Sequence, residues 1–159
     1  MDLKKTYTFV LSSLPVPKSN RYMRRKDGKV FKPYKIVKWE QTALKELKIQ
    51  HPGKCFSVPV KVEVFFILPD RRKRDIDNML KTLWDILEKA SIVENDNLIF
   101  ETRTVKIYKK GISSTVIKIT PREDTPEFEH LFRELEGFSI DLQKGEVFKP
   151  KRGRKSKKK

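Results

Sequence analysis

Residues 69–99 read PDRRKRDIDNMLKTLWDILEKASIVENDNLI. Met79, Leu80, Leu83, Trp84, Ile86, Leu87 and Ala90 fall on one arc at about 100° per residue, which predicts a helix over 78–90. Asp77, Lys81, Asp85 and Glu88 occupy the opposite arc, and Asp77 is a candidate N-cap. Ahead of the helix, Arg71, Arg72, Lys73 and Arg74 run directly into Asp75 and Asp77, one residue apart. Behind it, 91–97 is a polar connection that holds Asp96.

The elements on either side extend the pattern. SVPVKVEVFFILP places Val58, Val60, Val62, Val64, Phe66 and Leu68 on one face of a strand. Phe65 and Ile67 make the other face apolar at its end, so a central strand covered on both faces is expected. LIFETRTVKIY and SSTVIKIT read as two strands joined around KKG in a hairpin. Upstream, TYTFVLSSLP reads as a first strand, with Tyr7, Phe9 and Leu11 on one side. PVPKSNRYMRRKDGKVFKP is a basic loop with a turn at Asp27-Gly28. YKIVKWEQTALKELKIQ is a helix that stops before His51-Pro52-Gly53. This order predicts an α/β or α+β domain over residues 1–120: a small mixed sheet flanked by two helices.

Two further segments follow. Residues 121–148 carry a helix signal, with Thr125 as cap, Pro126 at the first position, and Phe128, Leu131, Phe132 and Leu135 as a stripe. Residues 149–159, KPKRGRKSKKK, are expected to be a disordered basic tail.

The balance of charge points to a polyanion. The chain has 37 Lys and Arg against 21 Asp and Glu, a net +16. The tail contributes +8 and residues 121–148 contribute −5, which leaves +13 on residues 1–120. A field this positive favours nucleic acid. A single cysteine, Cys55, rules out an intramolecular disulfide. The apolar run at the N-terminus is short and broken by Ser12, Ser13, Pro15 and Pro17, so no signal peptide is expected. No apolar stretch approaches the roughly 20 residues that span a bilayer. The expected setting is cytoplasmic, at the nucleoid.

The chemistry sits in the acids of the 69–99 stretch. A turn at 91–97 is expected to bring Asp96 beside Asp75 and Asp77, because the helix and the next strand pack antiparallel. Three carboxylates together repel, and a divalent cation removes that penalty. Hard oxygen ligands suit Mg²⁺ with substrate phosphate completing the shell. Such an ion lowers the pKa of a bound water and neutralises a scissile phosphate. Lys81 would stabilise charge on the phosphoryl oxygens or orient the attacking water. Arg71, Arg72, Lys73 and Arg74 would hold neighbouring phosphates, and Tyr22 and Phe31 are candidates for base stacking.

Plainer accounts exist for each residue. Asp77 can be a cap, RRKR a solvated loop, Lys81 a partner of Asp77 or Asp85, and Asp96 a turn residue. They add up to a rival reading, a non-catalytic basic DNA- or RNA-binding protein. A nucleotide transferase using D-x-D is a third, disfavoured by the short chain and the lack of a glycine-rich phosphate loop. His51, His130, Cys55, Ser12 and Ser13 form no recognisable catalytic set. Trp39 and Trp84 are expected in the core.

The 69–99 stretch also resembles the signature of the RusA family of Holliday junction resolvases. That signature is a strand ending in P-D, basic residues, D-x-D-N-x-x-K, a helix with an aromatic and an Asp, then an acid pair or single Asp before two apolar residues. LPVPKSNRYMR is similar to the family's opening loop, with Asn20, Arg21 and Tyr22 at matching places. The resemblance spans about residues 6–120. It implies that Asp75, Asp77 and Asp96 are catalytic metal ligands for Mg²⁺ or Mn²⁺, that Lys81 is the catalytic lysine, and that Arg74 contacts the junction. It also implies a homodimer acting on four-way DNA junctions, with the acids near the dimer interface. Asn95-Asp96 departs from the Asp-Asp of many members, and Asp96 is taken as the retained ligand. Residues 121–159 lie beyond the family's usual domain.

Overall fold

The computed structural model describes residues 5–17, 22–122, 139–141 and 146–148. The chain divides into two compact units, residues 1–123 and 124–159. In order, the first holds β1 (Tyr7–Leu11), β2 (Met23–Arg24), β3 (Val30–Phe31), α1 (Tyr34–Gln50), β4 (Val60–Leu68), α2 (Ile76–Lys89), β5 (Ile99–Tyr108) and β6 (Ser114–Pro121). In the second, β7 (Ser139–Asp141) pairs antiparallel with β8 (Glu146–Phe148), a ribbon the sequence reading did not anticipate. The helix expected near 126–136 and the basic tail lie outside the described residues.

The main sheet has the order β1-β6-β4-β5. β4 is central, antiparallel to β6 on one side and parallel to β5 on the other. Its alternation is strict: Val60, Val62, Val64, Phe66 and Leu68 are buried, and the residues between them are half-buried. α1 and α2 supply Ala43, Leu47, Met79, Leu83, Ile86 and Leu87 to the same core. Burying a side chain of this kind contributes roughly 1.5–3 kcal/mol. The expectation that β4 is covered on both faces is therefore corrected to one face. On the other, Val10, Val116, Phe65 and Val105 align across all four strands and stay partly accessible.

The expected β5–β6 hairpin is also corrected. The two strands lie on opposite sides of β4. Lys109-Lys110-Gly111 does turn, but it carries the chain across the end of β4. The Lys109 N–H donates to the Leu68 carbonyl (2.9 Å), and the Gly111 N–H to the Pro69 carbonyl (3.0 Å). β5 pairs in parallel because α2 has already carried the chain back along β4, and parallel neighbours need such a crossover.

Local chemistry fixes the remaining junctions. α2 stops in a turn where the Ser91 N–H bonds the Glu88 carbonyl and the Ile92 N–H bonds the Leu87 carbonyl. Ser91 takes the left-handed conformation (φ 54°) that this ending requires. α1 guards the outer edge of β1: the Gln50 side-chain amide exchanges hydrogen bonds with the Val10 backbone (2.7 and 2.8 Å), and Glu46 accepts from the Ser12 N–H (2.9 Å). The basic loop contains a short ribbon, β2 with β3, around the Asp27-Gly28 turn. Gly28 has φ 84°, and Asp27 Oδ1 accepts from the Lys29 N–H (3.1 Å). Among the described residues no helix is long and apolar enough to cross a membrane.

Candidate active site

The loop from β4 to α2 is organised by Asp70. Its Oδ1 accepts from Arg74 Nη1 at 2.7 Å and from the Arg72 N–H at 3.0 Å. These bonds from Arg74 and Arg72 hold the Asp70 carboxyl down at about 2. Arg74 is thus turned toward Asp70 and half-buried, while Arg71, Arg72 and Lys73 are exposed. Lys106 of β5 braces the same loop by donating to the Arg74 carbonyl (3.1 Å). Sequence reading assigned no role to Asp70 or Lys106. A P-D pair closing a strand was the available signal for the first, and nothing local marked the second.

α2 begins two residues earlier than expected, which shifts its acids. Asp75, not Asp77, is the N-cap residue, and Asp77 lies in the first turn. The Asp75 side chain makes no capping hydrogen bond. Asn78 Nδ2 approaches Asp75 Oδ2 only at 3.5 Å, at the limit of a useful bond. Asp77 is therefore not the cap, and Asp75, which holds the cap position, does not cap with its side chain. Both are exposed, at the carboxyl ends of the parallel strands β4 and β5, the side of an open α/β sheet where ligands bind. Lys81 stands one turn further on, exposed, with Nζ 4.0 Å from Asp77 Oδ2.

Asp96 is not brought to them. It opens a short 3-10 turn, Asp96–Leu98, directly before β5. In the parallel pair, Ile99 stands beside Val60 at the start of β4, whereas Asp75 follows the end of β4. The 14 residues of α2 separate the two places, roughly 21 Å at 1.5 Å per residue. Antiparallel packing of helix and strand, the premise of the expected convergence, is what carries Asp96 to the opposite end. Among the described residues, no three His, Cys, Asp or Glu side chains cluster so as to hold a metal ion. Asn95 has a local role: its side chain accepts from the Asn97 N–H (2.9 Å) and caps the turn that presents Asp96.

The other singled-out residues sort as follows. Tyr22 is exposed at the ribbon, with Lys32 Nζ 5.5 Å from its ring centre, and Arg25 lies over Phe31 at 5.1 Å. Asn20 and Arg21 lie outside the described residues. His51 is structural: Nδ1 accepts from the Gly53 N–H, and Nε2 meets the Ser91 carbonyl at 2.8 Å. Burial, helped by Glu94, pushes the Cys55 thiol up, away from a reactive thiolate. Trp39 and Trp84 pack against the core, and Trp39 Nε1 donates to Ser13 Oγ (2.7 Å).

Oxygen donors without sulfur or imidazole fit a hard divalent cation such as Mg²⁺ or Mn²⁺, which is held by few carboxylates and completes its shell with water and phosphate. Asp75 and Asp77 meet that description, beside exposed cations that suit phosphate.

Comparison with known proteins bears on the family of the chain. The family model described as Endodeoxyribonuclease RusA matches residues 13–120. A curated protein of Aquifex aeolicus named crossover junction endodeoxyribonuclease RusA is 57% identical over 111 residues, covering 70% of this chain and 88% of that protein. Proteins of the same name from Escherichia coli K12 and Shigella sonnei are each 30% identical over 91 residues, covering 57% of this chain and 76% of their own. Motif, fold and similarity lead to one assignment: the chain belongs to the RusA family of endodeoxyribonucleases.

Proposed function

We propose that this protein resolves four-way DNA junctions by paired, symmetric, metal-dependent nicks, acting as a homodimer at the nucleoid. One observation carries the reading: Asp75 and Asp77 stand exposed at the start of α2, unused as caps, behind a loop of exposed cations. The names of the relatives support the choice of substrate.

Each residue has a task. Arg71, Arg72 and Lys73 hold phosphates on either side of the scissile one. Asp70 keeps Arg74 folded back, so Arg74 shapes the loop and contributes positive potential rather than direct reach. The first amides of α2, which no Asp75 side-chain bond satisfies, favour an anionic oxygen at the helix start. Asp75 and Asp77 would hold Mg²⁺ or Mn²⁺, which supplies charge neutralisation and a more acidic water. Lys81 places its ammonium near the phosphoryl oxygens as negative charge grows on them. Water adds to phosphorus, the bond to the 3′ oxygen breaks, and the products are a 5′-phosphate and a 3′-hydroxyl.

Homodimerisation answers two needs. Two matched nicks call for two sites related by a two-fold axis. A two-fold axis perpendicular to the strands also brings opposite ends of two sheets together. Asp96 of one copy then complements Asp75 and Asp77 of the other, and each site draws on both chains.

Asp75→Asn tests the assignment, since it removes a ligand charge and keeps shape. Junction cleavage should be abolished and junction affinity kept. Cleavage at the wild-type rate would remove Asp75 from the site and the mechanism with it.

A further inference from the structure

Tyr108 has no part in the chemistry above, yet the fold holds it beside the site. It is the last residue of β5 and pairs in register with Leu68, immediately before the Pro69–Arg74 loop. The register places it on the face of the sheet that α2 covers. Three hydrogen bonds tie β5 and the turn after it to the end of β4 and to the loop: Lys109 N–H to the Leu68 carbonyl, Gly111 N–H to the Pro69 carbonyl, and Lys106 Nζ to the Arg74 carbonyl. Tyr108 is nevertheless 46% exposed. The guanidinium of Arg71 lies over its ring, 4.6 Å from the centroid.

A guanidinium over a half-exposed ring, beside the loop that leads into Asp75 and Asp77, is an aromatic and positively charged surface. Phosphate-binding cations read only the positions of the backbone charges. An accessible aromatic ring adds a contact that a closed duplex does not offer. In a continuous duplex each base face is covered by its neighbours. Where strands part at a branch point, a base face becomes accessible, and an aromatic ring can replace the lost neighbour.

We propose that Tyr108, together with the Arg71 guanidinium over its ring, is a platform for a nucleobase next to the branch point, and that it contributes selectivity for junctions over duplex. The proposal rests on the junction-resolving function. It makes Tyr108 a positioning residue: it sets the branch against the loop and leaves the cleavage chemistry to Asp75 and Asp77.

The test uses the full-length protein without divalent cation, so that binding is read without cleavage. The probes are a four-way junction with 2-aminopurine at the branch point and a duplex of matched sequence. Tyr108→Phe keeps the ring, and Tyr108→Leu keeps comparable bulk without it. Wild type and Tyr108→Phe should change the 2-aminopurine fluorescence on binding. Tyr108→Leu should lose that change and bind the junction about tenfold more weakly, with duplex affinity and thermal midpoint unchanged. If Tyr108→Leu keeps the signal and the junction preference, the platform is wrong while the function stands. If it weakens junction and duplex alike, Tyr108 merely supports Arg71 on phosphate, and the proposal is again overturned. A wild-type protein with no junction preference would overturn the function itself.

Discussion

Asp96 lies about 21 Å of helix away from Asp75 in the same chain, whereas ligands of one Mg²⁺ lie about 2 Å from the ion. The two can share a site only across a dimer, and subunit mixing reads this out. One copy carries Asp75→Asn, the other Asp96→Asn, each with a different affinity tag, and the heterodimer is purified through both tags. Each variant homodimer should lose at least about a hundredfold in cleavage, because a ligand charge supports several kcal/mol of transition-state stabilisation. In the heterodimer, one site has lost both acids. The other joins Asp75 and Asp77 of the second copy to Asp96 of the first and is intact. The heterodimer should therefore nick junctions at roughly half the wild-type rate, one site in two, and give nicked junctions rather than resolved duplexes. A heterodimer as inactive as its parents would refute the shared site. A fully active Asp96→Asn homodimer would remove Asp96 from it.

Two further predictions follow from the loop and from α2. Lys81→Ala should lower single-turnover cleavage by roughly a hundredfold while changing junction affinity little; unchanged turnover would exclude Lys81 from the reaction. Asp70 has its carboxyl lowered from 3.8 to about 2 by Arg74 and Arg72, so the charged form contributes stability above about pH 4 that is lost as pH falls toward 2. The thermal midpoint of Asp70→Asn should accordingly lie below wild type from pH 7 to about 4, and the gap should close by about pH 2. A gap that persists unchanged at pH 2 would show that the charge of Asp70 is not what holds the loop.

Much of this was legible in the sequence, for identifiable reasons. α1 and α2 follow from long apolar arcs, and β4 from nine residues of alternation that one buried face enforces. The pairing of β5 was not legible. KKG has the chemistry of a hairpin turn, but β5 is claimed by β4 before it reaches that turn, and nothing within the 99–120 segment records this. The same topology displaced Asp96, since a residue behind a crossover helix returns to the start of the sheet. β2 and β3 are two residues each, too short for any periodicity, though Asp27-Gly28 marked their turn. Glu40 is charged but buried on the inner arc of α1, bonded to Lys32 at 3.0 Å and within 3.9 Å of Lys89. Only the tertiary structure supplies those partners. The D-x-D pair itself was found from spacing and charge, and its helix start was misplaced by two residues because Asp77 has the chemistry of a cap.

The central claim is metal-dependent cleavage selective for branched DNA. The most direct measurement incubates the wild-type protein with a synthetic four-way junction and a matched duplex, each with Mg²⁺ and with chelator. Symmetric paired nicks in the junction, only with Mg²⁺, and an intact duplex are the predicted result. Tight junction binding without nicks under Mg²⁺ or Mn²⁺ would contradict the claim and leave a DNA-binding protein in its place.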